Sequence, residues 1–519
     1  VLPYMGTLIA KKKANKLYYY LVESGRVGGK PRITNQVYLG TAEKIATLVR
    51  QRSAPLPLSV TFRKSGLPGA LWLAAQESGV FDLMQSIWPE PRSGPSTAHY
   101  LLLAAINRIC DPGPKTEVPD WYHSTVLESL WRFPAERFTS QAFWDCFDQI
   151  QLSPLGSDLD EKDNLDRAQL RLLALWKGKQ LVSHRLLSYD ATNFYTFVAS
   201  TNKRNTLAQR GRNKQGRHNL RQVGLSYVLD GVYGLSLCHH VYPGNITDTE
   251  EFSTALPRLL RFLDINEIAR DSVTLVFDKG SAALYNTLAL DESGIGWISA
   301  LPWNQAPKDF RETPLEEFTP LSSYQPGVQA FQGKLLVHGK ERLCVLKYSA
   351  PFLSEQIHSL STGLAKVTQS LRRLSMDLTK PDCSLKEHQI RKKISGWLSE
   401  PFLDELIRYQ LEKEDAKWRL QFAIDTAAFN RLMVHRLGRT ILLTSRTNWT
   451  PEQVVAGYGA QQQVEKVFRG LKDGNWLNWG PMYHWTDSKI RIHGFYCMLG
   501  ISLLNYLHAQ VQNVCPGIT

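Results

Sequence analysis

The 519 residues are 43% hydrophobic and 21% charged, a globular balance that excludes extended disorder, and the length calls for about two to four structural units. A net charge of +13 and a pI near 9.3 favour a polyanionic partner, nucleic acid first among them. No stretch approaches the roughly 18 apolar residues that cross a bilayer, so no membrane partner is expected. The seven scattered cysteines form no C-x-x-C pair and argue for a reducing compartment and against structural zinc.

In chain order, Lys11-Lys-Lys13 is followed by Tyr-rich alternation and not by an apolar block, which speaks against a signal peptide and for a cytoplasmic location. Residues 17–22 and 33–39 read as strands joined by a turn at 25–29, a β-hairpin region over 1–41. Over 42–180 the pattern is helical, with apolar runs at 71–75, 100–109 and 143–150, and its basic and aromatic residues suit a DNA-reading region. Strands are expected at 186–190, 194–198, 223–229, 235–242, 273–278 and 296–301, rich in Val, Leu, Tyr and Phe. Thr247 with Glu250 makes a capping box for a helix running to about 264.

Early strands, a helix, then a strand ending in Asp278 is the order of an RNase-H-like α/β domain, whose first part is 181–301. Residues 302–438 read as a mixed α/β insertion: a Pro-rich acidic stretch at 307–326, a strand at 335–346, and helices at 353–378 and 385–398. The α/β pattern returns over 439–519 with a strand at 440–444, a helix starting near Pro451 after the caps Asn448 and Thr450, and a buried apolar helix at 495–507.

Offsets of three, four and seven along one helix would align Tyr458, Gln461, Glu465 and Lys472 in a polar stripe beside the apolar Ala460, Val464, Val467 and Leu471. Asp190 closes the apolar run Leu186-Leu-Ser-Tyr, and Asp278 closes Val273-Thr-Leu-Val-Phe, each carboxylate at a strand end on the rim of the sheet. Adjacent carboxylates repel, and a divalent cation removes that cost. Glu465 would complete an oxygen-rich set for Mg²⁺, or Mn²⁺ in its place, with two ions serving an in-line phosphoryl transfer. Basic residues gather at Lys203, Arg204, Arg210, Arg212, Lys214, Arg217, His218 and Arg221, a stretch suited to phosphate contact.

These motifs, in this order, resemble those of the DDE transposases of bacterial insertion sequences, in the insertion-sequence-four superfamily and nearest its sixteen-thirty-four-like subgroup. The superfamily pattern Y-x2-R-x3-E-x6-K falls on Tyr458, Gln461, Glu465 and Lys472, with Gln in place of Arg. The likeness includes Tyr189-Asp-Ala-Thr-Asn, Val276-Phe-Asp-Lys-Gly-Ser281, Tyr483-His-Trp and Arg491-Ile-His-Gly-Phe. It implies an enzyme that binds its element's terminal repeats, cuts there and joins the 3′ hydroxyls to target DNA, with Asp190, Asp278 and Glu465 catalytic and metal-binding. Double-stranded DNA is the implied partner, met by a homodimer on paired ends in the bacterial nucleoid.

Tyr458, Gln461, Arg469 and Lys472 are expected at the DNA, and Trp303 as an aromatic that stacks on a displaced base. Gln461 brings a donor without a charge, which shifts phosphate binding toward Lys472, Lys466 or Arg469. Two alternatives are a metal-dependent nuclease that cuts without joining and an inactive DNA-binding regulator derived from such an enzyme.

Overall fold

The computed structural model describes residues 6–51, 62–89, 91–156, 159–183, 185–213, 215–321, 324–380, 383–414, 417–474, 477–480, 482–515 and 517. By packing, the chain divides into two compact units, Val1–Arg63 and Lys64–Thr519.

The first unit holds an antiparallel sheet of β1 (Thr7–Lys13), β2 (Lys16–Val27) and β3 (Lys30–Thr41), followed by α1 (Ala42–Gln51). Expectation had two strands here. The extra one forms because Ala14 and Asn15 both take positive φ, the geometry of a two-residue hairpin turn, as Gly28 and Gly29 do at the next corner. The reversal is confined to Gly28-Gly29 and leaves Gly25 inside β2.

The second unit opens with seven helices among the described residues: α2 (Gly66–Glu77), α3 (Val80–Ile87), α4 (Thr97–Cys110), α5 (Val118–His123), α6 (Leu127–Trp131), α7 (Ser140–Asp148) and α8 (Asn164–Gly178). Then come β4 (Leu186–Thr196), β5 (Arg221–Asp230), β6 (Ser236–Pro243), α9 (Asp248–Ile265), β7 (Thr274–Phe277), α10 (Leu284–Ser293) and β8 (Gly296–Ala300). The capping box of Thr247 and Glu250 starts α9 as its sequence requires.

Residues 302–438 contain α11 (Lys308–Arg311), β9 (Thr319–Pro320), β10 (Val328–Val337), β11 (Lys340–Ser349), α12 (Ala350–Thr379), α13 (Glu387–Trp397), α14 (Leu403–Leu406), β12 (Ile407–Glu414), β13 (Lys417–Ile424) and α15 (Thr426–His435). The expected single strand at 335–346 is two, because His338 and Gly339 both turn through positive φ. The chain ends with β14 (Arg439–Thr444), α16 (Pro451–Gly459), α17 (Gln461–Lys472) and α18 (Asp487–Val514).

Nine described strands form one mixed sheet in the order β6-β5-β4-β7-β8-β14-β11-β10-β9. The neighbours β4–β7 and β7–β8 are parallel; the other adjacent pairs are antiparallel. The segment 302–438 is therefore shared: β9–β11 extend this sheet, while α12–α15 and the β12–β13 hairpin enclose a separate core that includes Leu371, Ile390, Ile394 and Leu406. The helices α2–α8, the sheet and α18 share one continuous core. A third apolar cluster, with Val276, Ile298, Val345, Leu442, Val454 and Val455, packs α16 on the sheet. Gly457 makes that approach possible, since a Cβ there would meet Ile298 Cδ1 at 2.8 Å.

Candidate active site

The strand β4 is continuous through the site: the two strands expected at 186–190 and 194–198 are one, so Asp190 lies in mid-strand and not at a strand end. Asp278 does follow the last residue of β7 and leads into a short 3₁₀ turn, Lys279–Ser281, whose Ser281 N–H donates to the Asp278 carbonyl. The parallel register pairs Tyr189 with Phe277, so the next residues in step are Asp190 and Asp278 on adjacent chains. Tyr189 and Phe277 both pack on Phe252 of α9, with ring centroids 4.9 and 5.0 Å apart. Alternation along a strand then sends Asp190 and Asp278 to the opposite face.

On that face the break between α16 and α17 is pinned to β4. The Ser188 hydroxyl donates to the Ala460 carbonyl at 2.8 Å, and Gln461 Nε2 donates to the Tyr189 carbonyl at 3.1 Å. At the other end of α17, Lys472 Nζ donates to Thr192 Oγ1 at 2.5 Å and lies 5.8 Å from the Phe194 ring centroid. From residue 460 to 472 a helix rises roughly 18 Å, and from 188 to 192 a strand advances roughly 13 Å. The lysine stem spans the remainder, and Glu465 is carried along the stretch of β4 that bears Asp190.

Two expectations are corrected here. The stripe does not run along one helix, because Tyr458 lies in the last turn of α16, which ends at Gly459, and Gln461 opens α17, with Ala460 between the two helices. Gln461 is 3% exposed, so its amide serves the strand and is not presented to a DNA phosphate. Its Oε1 is buried without a hydrogen-bond partner.

Asp278 acts on Glu465, and all three carboxylates act on Tyr458. Burial first, and then Asp278, raise the Glu465 carboxyl above its ordinary range, while Arg469 one turn on partly offsets this. Burial, then Asp278, Glu465 and Asp190 in that order, hold the Tyr458 phenol far above its usual range, so it stays protonated. Asp190 Oδ1 accepts from Ala191 N at 2.7 Å. Among the described residues no group of three or more His, Cys, Asp or Glu side chains is gathered closely enough to cage an ion. The donor set is nonetheless all oxygen, which suits a hard divalent cation.

The basic stretch is held and not loose. Arg204 lies 5.8 Å from the Trp485 ring centroid and Arg217 5.8 Å from that of Tyr195. Arg210 reaches Ser200 Oγ at 3.5 Å, and the backbone N–H groups of Thr206 and Leu207 donate to the Asp487 carboxylate. Arg212 and Arg217 are exposed, and Lys214 lies outside the described residues. Trp303 is half-buried beside a cavity of about 520 Å³, with the Arg436 guanidinium 4.3 Å from its ring centroid. A base stacking on that face would have to displace the guanidinium. Ser188 and Thr192 went unnoticed in the sequence; the signal was there, since Ser188, Asp190 and Thr192 alternate with apolar residues in a core strand.

Among the described residues no helix is long and apolar enough to cross a membrane. No curated protein matches the chain. Among solved structures, the piggyBac transposase in a synaptic complex with hairpin DNA is similar at 9% identity, with a TM-score of 0.36, over 87% of this chain and 74% of that one. A likeness that weak decides nothing about this fold. The model of the transposase DDE domain matches residues 183–494, more than half of the chain and the whole span from β4 through α17, and the chain belongs to that family.

Proposed function

We propose that the chain is a DNA transposase that binds the ends of its own insertion sequence, cleaves them by metal-dependent phosphoryl transfer and joins the 3′ hydroxyls to target DNA. The observation that carries this reading is the pinning of α17 along β4, which brings Glu465 along the stretch of strand that bears Asp190, with Asp278 on the neighbouring chain in register and all three carboxylates acting on the Tyr458 phenol. The order β6-β5-β4-β7-β8, with β4, β7 and β8 parallel, supports an RNase-H-like catalytic core.

Asp190, Asp278 and Glu465 would hold Mg²⁺ or Mn²⁺, two ions in all. Bound there, the metal supplies Lewis acidity to the scissile phosphate and lowers the pKa of the attacking hydroxyl. The protein's own groups do the rest. Tyr458, kept protonated, offers an O–H to a phosphate oxygen, and Lys472, held by Thr192, places a cation at the far end of the same helix. Arg469, Arg210, Arg212, Arg217 and Lys214 would meet the DNA backbone. Residues 42–180 would read the terminal repeats and the basic residues of the 1–41 hairpin region contact DNA, 181–301 and 439–519 carry catalysis, and 302–438 serve as the insertion. We place the enzyme in the sixteen-thirty-four-like subgroup, acting as a homodimer on paired ends in a bacterial cytoplasm.

Incubating the protein with Mg²⁺, DNA carrying the element's ends and a target plasmid tests this. Joined product is expected. Cut ends without joining would make it a nuclease, and bound but intact DNA an inactive regulator.

A further inference from the structure

Residues of α4, α7, α18 and the chain before it enclose a cavity of about 500 Å³ lined by Arg108, Lys115, Trp144, Tyr483, His484 and Tyr496 among others, with no Asp or Glu in its wall. Its two basic residues are badly matched. Arg108 spends its terminal nitrogens on the carbonyls of Gly480, Asn478 and Gly113, at 2.9, 3.4 and 2.6 Å, which leaves its Nε buried without a hydrogen-bond partner. Lys115 Nζ is also buried without one, and lies 4.5 Å from the Tyr496 ring centroid and 5.3 Å from that of Phe143. Nearby Lys489 is satisfied by Asp148 and the Trp144 carbonyl. Burial, then Arg108, hold the Lys115 amine well below its ordinary range.

Two buried nitrogens without hydrogen-bond partners, one on a guanidinium and one on an amine that an anion would reprotonate, in a wall without acids call for an anion. Most of the rest of the wall is aromatic, with Pro114, Thr116 and Ser140 between the rings: Trp144 is backed by Trp485 at 5.4 Å, and Tyr483 is 66% exposed at the rim. A pocket of about 300–1,000 Å³ suits a small ligand, and aromatic faces beside cations suit a base that carries a phosphate. We propose that this cavity binds a nucleotide, its base against Trp144 and Tyr483 and its phosphate on Lys115. The source is either a free nucleotide or an unpaired residue of a DNA strand.

The test is calorimetric titration of the full chain with deoxyadenosine monophosphate, deoxyadenosine and inorganic phosphate. The monophosphate should bind at least about tenfold more tightly than either fragment, and Lys115→Met should weaken it by at least about tenfold. The melting temperature of Lys115→Met should stay at or above that of the wild type, because an unmatched buried amine is removed. Tyr483→Ala should weaken the monophosphate and leave phosphate unchanged. If a duplex with one unpaired 2-aminopurine competes with the monophosphate and its fluorescence changes on binding, the source is DNA; without competition it is a free nucleotide. Absent monophosphate binding, equal binding of phosphate alone, or wild-type affinity in Lys115→Met would each overturn the proposal. None of these outcomes bears on the acidic residues, whose test is cleavage.

Discussion

At the sheet, Asp278 and Glu465 reach solvent and repel one another, whereas Arg108 and Lys115 are held beside aromatic rings with no acid in the wall around them. Both regions collect like charge, yet they respond differently. Partial burial first and Asp278 second raise Glu465, and burial followed by the three carboxylates keeps the Tyr458 phenol protonated. The amine has lost water, and it yields its proton more readily. In each proposed site a ligand of opposite sign would relieve the strain, a cation at the carboxylates and an anion that returns the proton to the amine.

The largest effect should come from breaking the acidic side of this contrast. Asp190→Ala, Asp278→Ala or Glu465→Gln should each reduce cleavage by about three orders of magnitude or more, the scale of several kcal/mol of lost charge stabilisation. A gel shift should still show end binding by each variant, and near wild-type cutting by any of them would remove that residue from the site. A smaller effect is expected at the pin between helix and strand. Gln461→Leu leaves the Tyr189 carbonyl without its donor and should cost about 1–3 kcal/mol in a denaturant titration, with cleavage reduced and the salt dependence of DNA binding unchanged. A flatter salt dependence would return Gln461 to the phosphate.

The smallest effect is on stability against pH. Glu465 holds its proton more tightly when folded than when unfolded, so its contribution is full at acid pH and is lost as pH rises from the ordinary value of 4.5 through the raised folded value. Thermal melts should therefore show Glu465→Gln losing less stability than wild type across that window. Above it, Mg²⁺ should raise the wild-type melting temperature and leave that of Glu465→Gln nearly unmoved; equal responses would dissolve the acidic site as a metal-binding place.

Much of the site was legible because its signals are local. Asp278 ends an apolar run, and Thr247 caps α9 with Glu250 three residues on, both visible within a few residues. The hairpin corners at Ala14-Asn15 and His338-Gly339 were missed because each carries one favoured turn residue, Asn15 or Gly339, after a residue that is neither Gly, Asn nor Asp. The run at 194–198 looked like a new strand because Asp190 resembled a terminus, and only pairing with β5 along its whole length carries β4 through.

By itself the sequence determined the order of the three carboxylates, the apolar runs that bury β4 and β7, and the helical spacing that puts Glu465 and Lys472 two turns apart. Those are properties of neighbours on one chain, set by side-chain alternation and helix pitch. Tertiary structure alone decided that Gln461 faces inward to Tyr189, that Thr192 receives Lys472, and that Arg108 and Lys115 meet in a wall without an acid. Residue 461 lies 272 positions from its partner and residue 472 lies 280 from its own. Whether an amide or an amine serves the core or a ligand depends on which distant backbone or side chain the fold brings beside it, and no local pattern encodes that.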